Sequence, residues 1–139
     1  METEPADAQV PRHTLTAIEI FRIFRIEASH SLPALPQGHP CRRVHGHSWR
    51  VELGVEGPVE KERGWVVDFA ELEGAFGPLL AQLDHAHLNE LEGLGHPTSE
   101  NLALWIWGRL KPALPALSRI TVWETETAGC TYRGEGETG

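Results

Sequence analysis

From Glu19 onward, apolar and polar positions alternate with the period of a half-buried strand. Phe24, Ile26 and Ala28 fall on one face, Arg25, Glu27 and Ser29 fall on the other, and His30 comes next on the apolar face. Residues 31–44 hold three prolines and one glycine, which predicts a loop, and this loop carries Cys41. A second strand begins near His45. There His45, His47, Trp49, Val51, Leu53 and Val55 share one face, while Ser48, Arg50, Glu52 and Glu56 share the other. After a turn through Glu56-Gly57-Pro58, residues 64–67 read as a short strand leading to Asp68. Asp68 lies three residues before Glu71, as in a capping box, so a helix follows and runs to about Leu83, weakened by Gly74 and by Gly77-Pro78. Residues 84–89, Asp-His-Ala-His-Leu-Asn, lie at or just past its end.

A second helix starts at residues 97–101, Pro-Thr-Ser-Glu-Asn, with a hydroxyl to cap it and an acid in its first turn. Leu102, Trp105, Ile106 and Leu110 form its apolar stripe, and Pro112 stops it. A last strand, about residues 119–127, alternates Ile120, Val122 and Glu124 against Thr121, Trp123 and Thr125. The order strand, strand, helix, helix, strand predicts an α+β fold, an antiparallel sheet with two helices on one face. Residues 1–16 lack periodicity and read as a flexible extension, which leaves 17–139 as one domain.

Composition narrows the functional classes. The 139 residues are 40% hydrophobic and 23% charged, ordinary for a globular domain, and the formal net charge is −8. That charge argues against nonspecific nucleic-acid or anionic-membrane binding, which needs a surplus of Lys and Arg. No apolar run reaches membrane-spanning length and the first residues do not resemble a signal peptide, so the expected location is cytoplasmic. With only Cys41 and Cys130 present, no disulfide framework is implied.

The candidate chemistry centres on histidine. His45 and His47, two apart on a strand, place both imidazoles on one face, and Gly46 leaves the backbone between them uncrowded. His30 ends a separate strand on its own apolar face. Together the three make a tris-histidine zinc site with its fourth position open to water or substrate, the arrangement of a catalytic metal rather than a structural one. Core histidines satisfied by hydrogen bonds are the bland alternative. A cupin also carries a His-x-His pair with a nearby Glu, but Glu52 lies an odd number of residues from His47 and so points to the other face of a regular strand.

Cys41, four residues before His45, sits where a bound cation would favour its thiolate as a base or nucleophile; a fourth metal ligand or an inert thiol are the other readings. Asp84-His85 supplies a carboxylate beside an imidazole, as an acid/base relay requires, or else decorates a helix terminus. Glu124 is a carboxylate on an apolar face. Such a group pairs with a buried cation or accepts two parallel hydrogen bonds from an amino-pyrimidinone edge.

These residues together resemble the 6-pyruvoyl-tetrahydropterin synthase superfamily. The resemblance is carried by Phe24 to His30, Cys41-x-x-x-His45-Gly-His47, residues 64–69, Leu83-Asp-His85, Leu88-Asn89, residues 97–101, and Glu124-Thr125 followed by Tyr132-Arg133, and it spans nearly all of residues 20–135. The three residues between Cys41 and His45, with 105–107 and 127–135, are most similar to the branch that makes 6-carboxy-tetrahydropterin for queuosine; the pyruvoyl-forming branch usually has a longer Cys-to-His spacing. The resemblance implies a tunnelling fold whose sheets associate into an oligomeric barrel, usually a homohexamer of two stacked trimers with active sites between subunits. It implies conversion of 7,8-dihydroneopterin triphosphate to 6-carboxy-5,6,7,8-tetrahydropterin, acetaldehyde and triphosphate. It also implies roles: His30, His45 and His47 bind Zn2+, Cys41, Asp84 and His85 move protons, and Glu124 anchors the pterin ring with help from Thr98. The chain departs from the family mainly in its longer N-terminal extension and in Ala86-His87 after the Asp-His pair.

Overall fold

A computed structural model describes residues 17–136, so the expected flexible extension over 1–16 lies outside the described residues. Two long strands, β1 (Ala17–His30) and β2 (His45–Pro58), pair antiparallel along their whole length, from Ala17 opposite Pro58 to His30 opposite His45. The expected alternation holds. Phe24, Ile26 and Ala28 of β1 and Trp49, Val51, Leu53 and Val55 of β2 are buried on one face, whereas Arg25, Glu27 and Ser48 are exposed on the other.

Helix α1 (Phe69–Leu83) starts where Asp68 Oδ1 accepts the N–H of Ala70 at 3.0 Å and Glu71 adds an acid to the first turn. Pro78 removes one backbone donor, yet the helix continues, because Leu72, Phe76, Leu79 and Leu83 bury a stripe against the sheet. Phe76 packs on Phe24 with ring centroids 4.6 Å apart. After α1 comes β3 (Ala86–His87), a two-residue strand parallel to β1. Helix α2 (Ser99–Leu110) is capped by Thr98, whose Oγ1 accepts the N–H of Asn101 at 3.1 Å, and buries Leu102, Trp105, Ile106 and Leu110.

Strand β4 (Leu117–Trp123) pairs antiparallel with β2, and β5 (Gly129–Tyr132) pairs antiparallel with β4. The sheet order is β3-β1-β2-β4-β5, with both helices on the face that carries the core. The fold is therefore the expected α+β arrangement, antiparallel except at the β3 edge.

Two local expectations are corrected. Residues 64–67 do not form a strand: Gly64 sits at φ +75° and donates to Glu60 O at 2.7 Å, which closes a turn there. The last strand ends at Trp123 rather than running to 127, because the N–H groups of Glu124 and Thr125 both donate to Ala128 O and turn the chain into β5. Glu124 thus stands at the mouth of a hairpin.

Leu53 is fully buried in this core and Leu104 is 50% exposed on α2. Leu53→Ala is expected to lower the unfolding free energy by about 2–5 kcal/mol, and Leu104→Ala by no more than about 0.5 kcal/mol. Urea denaturation of the two variants checks the difference.

Candidate metal centre and active site

The β1–β2 register builds the site. Opposite residues of an antiparallel pair project from the same face, so His30 opposite His45 and Ala28 opposite His47 bring three imidazoles together at one end of the sheet. Their ring centroids lie 4.5 Å (His30–His45), 5.1 Å (His30–His47) and 4.9 Å (His45–His47) apart. Trp49, two residues beyond His47 on the same face, forms the floor, with its ring centroid 5.1 Å from His30 and 5.4 Å from His47.

Hydrogen bonds to carbonyls fix which nitrogen two of the rings offer. His30 Nδ1 lies 2.7 Å from Pro97 O, and His45 Nδ1 lies 2.8 Å from Arg43 O. A carbonyl oxygen only accepts, so both Nδ1 atoms carry the proton and Nε2 is the nitrogen of each of these two rings that is available to a metal. His30 Nε2 and His47 Nε2 are buried without any hydrogen-bond partner. Unsatisfied buried nitrogens in a polar cluster are costly unless something ligates them.

One candidate ligand atom from each of the three rings fits within 4.8 Å of the others, and among the described residues neither Cys41 nor Glu124 joins that set. The three histidines fit a metal ion, and the set leaves its fourth side open. Burial pushes the His47 imidazole below its ordinary value of 6.5; Glu124 opposes that shift, and His30 and His45 add to it. The neutral ring that results is the form a metal needs.

Glu124 Oε2 lies 3.3 Å from His47 Nε2, which brings the carboxylate to the edge of the cluster without a well-aligned hydrogen bond. Glu52, the rival acid of a cupin arrangement, points to the opposite face. There it accepts from Arg119 Nη1 at 3.0 Å and from Trp123 Nε1 at 2.8 Å.

The other sequence candidates divide. Cys41 lies in a 3-10 turn, Pro40–Arg42, within the loop that joins His30 to His45. Thr98 spends its hydroxyl on capping α2 and follows Pro97, whose carbonyl holds His30. Asp84 is the residue after α1; its Oδ1 accepts the N–H of Glu27 at 2.9 Å and its Oδ2 lies 3.2 Å from His85 Nδ1. The Glu27 N–H, with the His85 contact beside it, holds the Asp84 carboxyl below the usual carboxylate range.

His85 adopts φ +61°, rare for a residue with a Cβ, and its own N–H donates to Glu27 O at 2.5 Å. Its side chain is 78% exposed. Among the described residues no hydrogen bond or ion pair joins Asp84 or His85 to the three histidines of the same chain. Instead His85, His87 and the edge of His47 line an open depression of about 520 Å³ along β1, β2 and β3.

The supporting roles of three groups were not read from the sequence. The Pro97 carbonyl and the Asn89 side chain reach the site from distant segments, and no periodicity marks them. Asn89 clamps Ser31 through two bonds of 2.9 Å, just after His30. Arg42, a nearby base, bonds the carbonyls of Pro33 and Leu35 and so braces its own loop.

Three known relatives and one family model resemble the chain over most of the described residues. A family model described as 6-pyruvoyl tetrahydropterin synthase matches residues 19–135. A 6-carboxy-5,6,7,8-tetrahydropterin synthase of Synechocystis sp. is 40% identical over 119 residues, covering 81% of this chain and 91% of that protein. A dihydroneopterin monophosphate aldolase of Pyrococcus furiosus is 38% identical over 89 residues, 62% of this chain and 75% of that protein. The structure of 6-pyruvoyl tetrahydropterin synthase from Caenorhabditis elegans superposes with a TM-score of 0.79 at 26% identity, over 86% of this chain and 97% of that one.

Protonation of His47 should oppose both folding and metal binding. Its folded pKa lies below 6.5, so the unfolded chain takes up the proton first as pH falls below 6.5. Metal-free protein should therefore lose thermal stability as pH drops from about 7.5 to about 5.5, and His47→Gln should flatten part of that slope. Added Zn2+ should raise the unfolding temperature of the wild type at pH 7.5 and leave that of His30→Ala unchanged, as read by differential scanning calorimetry.

Proposed function

Since the chain belongs to the 6-pyruvoyl tetrahydropterin synthase family, we propose that it is a zinc-dependent 6-carboxy-5,6,7,8-tetrahydropterin synthase. Its substrate would be 7,8-dihydroneopterin triphosphate, and with one water its products would be 6-carboxy-tetrahydropterin, acetaldehyde and triphosphate, a carbon–carbon lyase reaction on the way to queuosine. The observation that carries this reading is the open His30–His45–His47 cluster with the Glu124 carboxylate at its edge, 3.3 Å from His47. The similarity to a protein named for the same product adds the choice of reaction.

In this reading His30, His45 and His47 hold zinc, which when bound supplies a Lewis acid for the hydroxyls of the substrate side chain. Glu124 accepts two hydrogen bonds from the amino-pyrimidinone edge of the pterin and fixes the ring, with the Thr98 region beside it. Cys41, on the loop between two ligands, takes a proton from the substrate side chain. Asp84 orients His85, whose ring returns or relays protons. Because His85 faces outward, its proton transfer would serve a site completed by a neighbouring chain. That fits a homohexamer of two stacked trimers built as a barrel, working in the cytoplasm. Among the described residues, no helix is long and apolar enough to cross a membrane.

Two variants separate the roles. Cys41→Ala should keep its zinc and lose about 10²–10⁴-fold in kcat; turnover at the wild-type rate would assign the base elsewhere. Glu124→Gln should raise KM roughly tenfold or more with zinc content unchanged, whereas loss of zinc would make it a support for His47 instead. Mass spectrometry of the zinc-loaded reaction tests the whole reading, with equal amounts of 6-carboxy-tetrahydropterin, acetaldehyde and triphosphate expected. Triphosphate without acetaldehyde would indicate pyruvoyl formation, and a two-carbon fragment that keeps its phosphate would indicate an aldolase.

A further inference from the structure

Cys41 is held by both of its backbone groups. Leu32 N donates to Cys41 O at 2.9 Å, and Cys41 N donates to His39 Nδ1 at 3.1 Å. The first tie runs straight back to the metal centre. Leu32 follows Ser31, whose N–H and carbonyl are both bonded to the Asn89 side chain, and Ser31 follows His30. The second tie belongs to His39 alone.

The geometry at His39 follows from its neighbours. Gly38 at φ +89° reverses the chain, and Pro40 confines the residue before it to extended backbone, which His39 adopts at φ −69° and ψ 132°. Pro40 has no N–H, so the first donor that the turn Pro40–Arg42 leaves free is that of Cys41. An acceptor side chain at position 39 meets it as an N-cap, here a ring nitrogen where Asn, Asp or Ser more often stand.

We propose that His39 is a positioning residue for Cys41: its Nδ1 fixes the turn that sets where the thiol stands relative to His30, His45 and His47. This rests on the assignment of Cys41 as the proton-abstracting thiol. His39 acts only through the cap, so any short side chain that accepts from the Cys41 N–H does the same work. Its Nδ1 accepts, so it carries no proton there, and the ring takes no part in the chemistry.

The full-length zinc-loaded protein is compared with His39→Ala and His39→Asn by three readouts: steady-state kinetics, amide hydrogen exchange at Cys41, and the iodoacetamide labelling rate of Cys41 mapped by peptide mass spectrometry. From the usual worth of an N-cap, His39→Ala should speed exchange at Cys41 and lower kcat each by about fivefold. KM and zinc content should stay unchanged, and His39→Asn should restore both values. If His39→Asn protects the amide yet stays as slow as His39→Ala, the ring acts chemically and the proposal falls. It falls equally if His39→Ala loosens the amide and turns over at the wild-type rate. If the wild type forms no 6-carboxy product, the reaction assignment has failed, and labelling decides the positioning role alone. A rate altered in His39→Ala and restored in His39→Asn supports it; equal rates in all three proteins overturn it.

Discussion

The pairing of His30 with His45 across β1 and β2 is the constraint on which the site depends. Side chains alternate faces with a period of two, so a slip of one residue would turn His45 and His47 to solvent and break the cluster. The apolar row prevents that slip. Trp49, Val51, Leu53 and Val55 continue the histidine face down β2 and are exposed by 1% or less, so the contacts that build the core also set the register of the histidines. A single long hairpin thereby gives a small domain both its stability and its three-histidine cluster.

Around the imidazoles, hydrogen bonds orient two of the rings and burial acts on the third. Backbone carbonyls take the Nδ1 protons of His30 and His45, burial lowers the basicity of His47, and Glu124 stands at the open side. The intervening loop does more than connect His30 to His45. Its prolines, the Asn89 clamp on Ser31, the Arg42 bonds to two carbonyls and the His39 cap leave the Cys41 turn little freedom. Asp84 and His85 are anchored on the backbone of Glu27, and among the described residues no hydrogen bond or ion pair joins them to the cluster of their own chain. That division is what an active site shared between chains would require.

Much of this was legible in the sequence because the signals were local and periodic. The alternation after Glu19 and after His45 gave β1, β2 and the shared face of the histidines, while Asp68 and Thr98 marked the starts of α1 and α2. Parity alone sent Glu52 to the opposite face, where Arg119 and Trp123 hold it. What stayed hidden was nonlocal or too short to have a period. β3 has two residues and exists only because β1 offers an edge, and the hairpin at 124–128 depends on two N–H groups converging on Ala128 O. The valines at 66 and 67 suggested a strand, but the turn at Gly64 prevailed. The roles of Cys41, Asp84, His85 and Glu124 came from likeness to a family; spacing shows only that they are available.

The open three-histidine centre can be tested directly by X-ray absorption spectroscopy of the zinc-loaded protein at the zinc edge. Three imidazole nitrogens at about 2.0–2.1 Å with a remaining oxygen that substrate displaces are expected. A sulfur scatterer at about 2.3 Å would mean that Cys41 closes the site, and fewer than three imidazoles would mean that the register of β1 and β2 does not build it.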